Sequence, residues 1–279
     1  MKLRKKKIYF SKIIEILPLI LFSITIIGSL FFLIITSLKL QNEYIVNKTG
    51  LPVNITLANF SEVISKAYFL RWLLNSMIIT VFSLFVGGFI AILLSFGFSS
   101  YKFRFRNNAF AIVSSLMVVP PIVLIIPLYK LLSELQMVNT YYGTISVYIS
   151  WIIPFWTFFL AKFFGSINKS IIESAKIDGC SDIKLLFRII LPLSKAPIMT
   201  LATVSTLWVW NDLLISLIFL QKDSYRTLMV GLTVFKGIYS TNVPVTFAGL
   251  IIATIPMLIF YIFGQRFFRK GVLSGAVKE

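Results

Sequence analysis

The chain has 279 residues, of which 58% are hydrophobic and only 13% charged, and its mean hydropathy is +0.90. A soluble domain is about half apolar and about a quarter charged, so this composition excludes an ordinary soluble globule and places the chain among membrane proteins. The net charge of +17 does not mark a nucleic-acid binder, because the cations flank the apolar runs. With no histidine and one cysteine, Cys180, the sequence also lacks the usual zinc and haem ligand sets and any internal disulfide.

A spanning helix needs about 20 mostly apolar residues, and six segments qualify. The first, Ile16–Leu38, is too long for the apolar core of a signal peptide and has no convincing small-residue cleavage site, so it reads as a retained span. The second lies in Trp72–Ser99, which carries no charge. The third runs over roughly Ala109–Leu128, with Pro120, Pro121 and Pro127 near one end. The fourth covers roughly Tyr142–Ala161 and contains Pro154. The fifth is roughly Pro197–Leu220 and the sixth roughly Thr246–Gly264. The prolines predict kinks or broken helices, which lipid tolerates only where neighbouring helices or a cavity satisfy the freed carbonyls. The expected fold is therefore an all-α membrane protein of six transmembrane helices. The whole of 1–279 reads as one transmembrane domain, with a core over 69–265 and no separate soluble domain.

Lysine and arginine set the orientation. With the N-terminus inside, 19 of them fall in inner segments and 8 in outer ones, which predicts both termini in the cytoplasm. The loop between the first two spans, Lys39–Arg71, is long enough for a small cap or a short interfacial helix. The longest inner loop contains "ESAKIDGCSDIKLLFRIILP", Glu173–Pro192. Ser170 and Glu173 have the S-x-x-E spacing of a capping box, predicting a helix start. Asp178-Gly179 predicts its end. Ser181 or Asp182 would cap a second helix running to about Ile190, with Ile183, Leu186, Phe187 and Ile190 on one face and Pro192 as the stop. Periodicity alone is compatible with two readings: an amphipathic helix lying on the membrane, or a helix that docks in a groove of a soluble partner.

The residue pattern separates them. Glu173-Ser174-Ala175, then Gly179, Ile189 and Leu191-Pro192, resembles at every spacing the EAA loop, about 165–195 here, of the membrane subunits of ABC importers. "PPIVLIIPLYKLLSELQMVNTYYGTI", "FWTFFLAKFFGSI", "WNDLLISLIFL" and the tail "IPMLIFYIFGQRFFRKGVLSGAVKE" are similar to the maltose-type (MalG-like) carbohydrate permeases. Asn168 and Ser174 stand where family members often have Pro and Ala; Asn can cap a helix and Ser is small. The resemblance implies that the loop is a cytoplasmic coupling helix between spans four and five. Glu173 would meet an ATPase subunit, Ala175 would permit close approach and Gly179 the turn, with Asp178, Leu191 and Pro192 in the same motif. It further implies a second homologous permease subunit, a cytoplasmic ABC ATPase dimer, an extracytoplasmic solute-binding protein and a bacterial cell membrane. Each loop residue also has a purely structural reading: Glu173 closing a capping box, Ala175 as helix filler, Asp178 as a turn residue.

No G-x-x-x-x-G-K-[ST] phosphate loop occurs, so ATP and its Mg²⁺ would be held by a partner chain, and this chain would hold no cofactor or metal and perform no catalysis. Asp212 in "WVWNDLL" is the one clear ionisable residue inside a span. It leaves open a stand-alone secondary transporter or channel built on that carboxylate, while an intramembrane enzyme lacks a base beside its many serines. A pathway for a polar, uncharged sugar would mix amide, hydroxyl and aromatic groups. The candidates are Asn75 and Ser76 in the second span and Ser205, Trp208, Asn211 and Asp212 in the fifth, with Trp210 beside them. The same residues could instead join helices by hydrogen bonds. The outer loop Gln221–Phe247, with Gly231 and Gly237, is expected to face the solute-binding protein. Arg266, Arg269 and Lys270 in the tail are expected near acidic lipid headgroups.

Overall fold

The computed structural model describes the backbone of residues 2–65, 68–234 and 242–276 and the side chains of 16–65, 68–233 and 242–265. Every regular element among them is helical. In chain order they are α1 (Lys2–Ser37), α2 (Gln41–Val46), α3 (Ala58–Ser65), α4 (Phe69–Ser100), α5 (Arg106–Ser115), α6 (Pro121–Glu134), α7 (Tyr141–Ser166), α8 (Lys169–Ile177), α9 (Asp182–Leu185), α10 (Leu191–Leu193), α11 (Lys195–Asn211), α12 (Leu214–Phe219), α13 (Leu228–Val234) and α14 (Val243–Ala276). Four helices are long and apolar enough to cross a membrane: α1, α4, α7 and α14. Two bent pairs raise the number to six if each counts as one span.

One compact unit comprises 1–67 with 232–254. Its loop after α1 folds around Lys39, which is fully buried and donates from Nζ to the carbonyls of Asn47 (2.8 Å) and Lys48 (3.4 Å). Asn59 Nδ2 donates to the carbonyls of Ser37 and Lys39, both at 2.7 Å. Buried donors and acceptors need such partners, and these bonds turn the expected cap into two short helices, α2 and α3.

The other unit comprises 68–231 with 255–279. Its spine is α4 against α7, which run parallel: Asn75 meets Tyr141, Gly87 faces Ile152, and Ser95 approaches Thr157. Lipid offers no hydrophobic drive between helices, so close packing must bind them, and small residues permit it. At Gly88 a Cβ would lie 2.7 Å from Trp156 Cζ3. Ile79, Ala91 and Phe96 of α4 interleave with Val147, Ile152, Leu160 and Phe164 of α7.

The third predicted span is not straight. After α5 and a 3₁₀ turn over Leu116–Val118 the chain bends by 99° into α6, which begins at Pro121. Pro120 and Pro121 lack the N–H groups a continuing helix would donate, and Pro121 suits a first helical position. Pro127 and Pro154, by contrast, lie inside uninterrupted helices, so they do not make the predicted breaks.

Candidate functional site

Two places in the second unit gather the residues singled out by sequence. The first is a cavity of about 470 Å³ between the 3₁₀ turn after α5, the start of α6, α7, α11 and α12. Its polar groups are Tyr148, Trp151, Ser205, Trp208 and Asp212, set among Ile125, Ile152, Phe155, Val209 and Ile215. The fifth predicted span breaks at its mouth. α11 ends at Asn211, and α12 starts at Leu214. Asp212 Oδ2 caps the second piece, accepting from the backbone N–H of Ile215 (3.0 Å) and Ser216 (3.2 Å). Asp is a strong acceptor of such orphan helix donors. The Tyr148 hydroxyl donates to the same oxygen at 2.9 Å and lies 3.0 Å from Ser216 Oγ. Trp156 Nε1 donates to Ser205 Oγ at 2.9 Å, which fixes the hydroxyl on the wall. Trp208 is half exposed and tilts against Phe155, with ring centroids 4.8 Å apart.

The structure therefore brings together Ser205, Trp208 and Asp212 but not the other pathway candidates. Asn211 is exposed and bonds its own helix at the Leu207 carbonyl. Trp210 is buried and Asn75 and Ser76 are buried elsewhere, at the far end of α4. There Asn75 Nδ2 donates to the carbonyls of Ser224 (3.0 Å) and Arg226 (2.8 Å), and its Oδ1 accepts from the Tyr141 hydroxyl (2.7 Å). Ser76 Oγ accepts from the Leu228 N–H at 2.8 Å. Trp72 Nε1 donates to the Asp223 carbonyl, and Gly231 of α13 lies flat on the Trp72 ring. Gly237 lies outside the described residues, as do the side chains of Arg266, Arg269 and Lys270. Sequence reading missed Tyr148, Trp151 and Phe155. Their i, i+3, i+7 spacing on α7 was the available signal.

The second place is the 168–194 segment. α8 is capped by Asn168, whose side chain accepts from Ser170 N at 3.0 Å, so the predicted capping box at Ser170 is replaced by a cap two residues earlier. Glu173, Ser174 and Asp178 are exposed, and Ala175 is buried. Gly179 has φ +75°. Cys180 N–H bonds the Ala175 carbonyl and Gly179 N–H the Lys176 carbonyl. That pair is a Schellman motif, with the glycine at the left-handed position that side chains with a Cβ resist. Ser181 caps α9.

The predicted apolar face then splits. A π-turn over Leu186–Ile190 breaks the 3.6-residue period. Leu185, Leu186 and Ile190 are buried, whereas Ile183 is 73% and Phe187 47% exposed. Pro192, exposed beside half-buried Leu191, removes the donor to the carbonyl four residues back, which the wider turn accommodates. It does not stop the helix; the chain turns by 75° two residues later, at Ser194. Tyr101, just past α4, donates from its hydroxyl to Asp182 Oδ2 at 2.6 Å and so ties this segment to the end of the spine.

The chain is similar in sequence and in fold to known proteins. The family described as binding-protein-dependent transport system inner membrane component matches residues 87–272, about two thirds of the chain. The chain belongs to this family. It is 32% identical over 249 residues to the melibiose/raffinose/stachyose import permease MelC of Bacillus subtilis (strain 168), covering 89% of this permease and 90% of that one. It is 30% identical over 250 residues to the arabinooligosaccharides transport system permease AraQ of Halalkalibacterium halodurans, covering 88% and 89%. In fold, the permease is similar to a chain of a bacterial ABC transporter involved in import of the acidic polysaccharide alginate. The TM-score is 0.83 at 20% identity, over 95% of this chain and 98% of the other.

Proposed function

We propose that this permease forms half of the translocation pathway of an ATP-driven carbohydrate importer, working by alternating access as a single transmembrane domain. The observation that carries the proposal is an aromatic-lined cavity with fixed polar groups, in a family whose similar members are named for oligosaccharide import. Sugars offer apolar ring faces and hydroxyls, which suit aromatic planes beside a few oriented acceptors. Trp208 and Phe155 supply the planes, and Ser205 and Asp212 the oriented oxygens. Asn75 and Ser76 act as ties for the 224–228 loop rather than as pathway groups.

Both termini would be cytoplasmic, placing 168–194 inside the cell as the coupling segment of a multi-pass protein of the bacterial cell membrane. Exposed Ile177 (86%) and Ile183 flank the rigid Gly179 turn and give it an apolar surface for a partner groove. The partners would be a second homologous permease, an ABC ATPase dimer that binds ATP and Mg²⁺, and an extracytoplasmic solute-binding protein. This chain would itself hold no cofactor or metal. A solved structure similar to this chain, at TM-score 0.69, is an alginate transporter in complex with a substrate-bound periplasmic protein. Nucleotide and solute would shift the inward- and outward-facing states only by their differing affinities for them.

The test is purification of the tagged full chain from its native membrane in mild detergent, with co-purifying chains identified by mass spectrometry. An ATPase and a second permease are expected with the wild type, and the ATPase is expected to be lost with Ile177→Asp/Ile183→Asp. Recovery of the chain alone would sink the proposal.

A further inference from the structure

The elbow between α4 and α5, residues 101–105, carries cations that the transport reading does not use. Lys102, Phe103, Phe105, Arg106, Asn107 and Asn108 line a concavity of about 460 Å³. A second hollow of about 340 Å³ shares Arg106 and Asn107 and reaches Lys162 at the end of α7. No acidic residue lines either one. Among the described residues, Lys102, Arg104, Arg106 and Lys162 make no ion pair. The neighbouring acid, Asp182, is engaged by Tyr101 and by Lys176 at 3.9 Å.

The cations are held in place. Arg106 Nε donates to the Phe98 carbonyl at 2.6 Å, which orients the guanidinium and leaves its terminal amino groups unspent. Lys162 Nζ sits 3.8 Å from the Phe158 ring centroid, and the Arg104 guanidinium carbon 5.1 Å from that of Phe105. Between the cations, Phe103 and Phe105 are 47% and 65% exposed. Phe105 also holds φ +67°, an uncommon backbone for a bulky residue.

We propose that this elbow binds the phosphate headgroup of an anionic phospholipid, with Lys102, Arg106 and Lys162 around the phosphate and Phe103 and Phe105 seated at the acyl boundary. No carboxylate lines either hollow, so an anion meets cations and amides there. An aromatic pair between cations matches a surface that is charged above and apolar below. Arginine's planar fork adds directional bonds to phosphate oxygens. The site rests on the membrane placement of α4 and α7 and is independent of which solute is carried.

The test is native mass spectrometry of the full chain in detergent, titrated with phosphatidylglycerol or with phosphatidylcholine of the same acyl chains. The wild type is expected to retain phosphatidylglycerol preferentially. Lys102→Gln/Lys162→Gln, which removes no protein hydrogen bond or ion pair, is expected to lower that preference roughly thirtyfold, the effect of two juxtamembrane cations. Lys130→Gln/Lys222→Gln, away from the elbow, is expected to leave it unchanged. Equal retention of both lipids, or an undiminished preference in the elbow variant, overturns the proposal. Displacement of the lipid by millimolar inorganic phosphate would reassign the hollow to a free anion and also overturn it. Loss of a co-purifying protein from the elbow variant, with lipid preference intact, would make it a protein contact instead.

Discussion

Asn75 separates a structural tie from a pathway group. Its side chain makes three hydrogen bonds, two to the carbonyls of Ser224 and Arg226 and one from Tyr141. Asn75→Leu removes all three and leaves both carbonyls without this donor in a buried place. Bonds of this kind contribute about 0.6 kcal/mol each in membrane bundles and about 1 kcal/mol in soluble proteins, so the loss is roughly 2–3 kcal/mol. For a chain of this size that corresponds to a fall of roughly 5–10 °C in unfolding midpoint. Tyr141→Phe removes one of the three bonds and should cost about a third as much, and the double variant should cost little more than Asn75→Leu alone. The assay is thermal unfolding of the purified full chain followed with a thiol-reactive dye, because Cys180 is its single, half-buried thiol. An unchanged midpoint for Asn75→Leu combined with abolished uptake would refute the reasoning and return Asn75 to the solute pathway.

Gly179→Val forces a branched side chain into a left-handed backbone although the space around it is open, a cost of about 1–2 kcal/mol. Deuterium exchange at the Cys180 amide should then speed up roughly 5- to 30-fold, with a smaller change for Gly179→Asn; equal rates for all three would mean the turn is not held by this conformation. Gly88→Ala drives a Cβ against Trp156 and should destabilise by about 1–3 kcal/mol. Gly97→Ala, in the same helix with nothing within 4 Å, should stabilise by up to about 1 kcal/mol, so midpoints that move in the same direction contradict the packing described. Tyr101 titrates above the ordinary tyrosine value of 10.0, chiefly because its proton is bonded to Asp182, with slight burial and the charge of Asp182 adding to it. A raised value in the folded state means that the tie to α9 is present below pH about 10 and is lost as pH climbs through the raised value. The difference in tyrosinate absorbance between wild type and Tyr101→Phe should therefore rise at higher pH than free tyrosine, and Asp182→Asn should move it back; no movement would remove Asp182 as the cause.

Much of the fold was legible because its signals are local. Hydropathy located the helical content of α1, α4, α7 and α14, since a membrane demands a long apolar run whatever surrounds it. Gly179 announced the end of α8 because one left-handed residue is needed there, and the pair Ser181-Asp182 announced the start of α9, with the structure choosing Ser181 as the cap. The cap of α8 was misassigned by two residues because Asn168 and Ser170 offer the backbone the same acceptor chemistry. The prolines were equivocal for a similar reason. Pro154 and Pro121 carry the same missing donor, and only their neighbours decide whether the helix continues, as in α7, or turns by 99°, as before α6.

The cavity could not be read in this way. Asp212 stood out as a carboxylate in an apolar run, but its partner Tyr148 lies 64 residues away in sequence, and no periodicity links the two. Asn75 and Asp212 looked alike as polar residues in predicted spans, yet one ties α4 to a loop and the other caps a broken helix at a cavity. The sequence by itself determined which segments must leave water, where the segment around Gly179 turns, and that no phosphate loop is present. Tertiary structure alone decided the parallel pairing of α4 with α7, the breaks that open the cavity, and which polar residues face it. Solvent preference and turn geometry are properties of a few adjacent residues, whereas a cavity is made by side chains that only packing brings together.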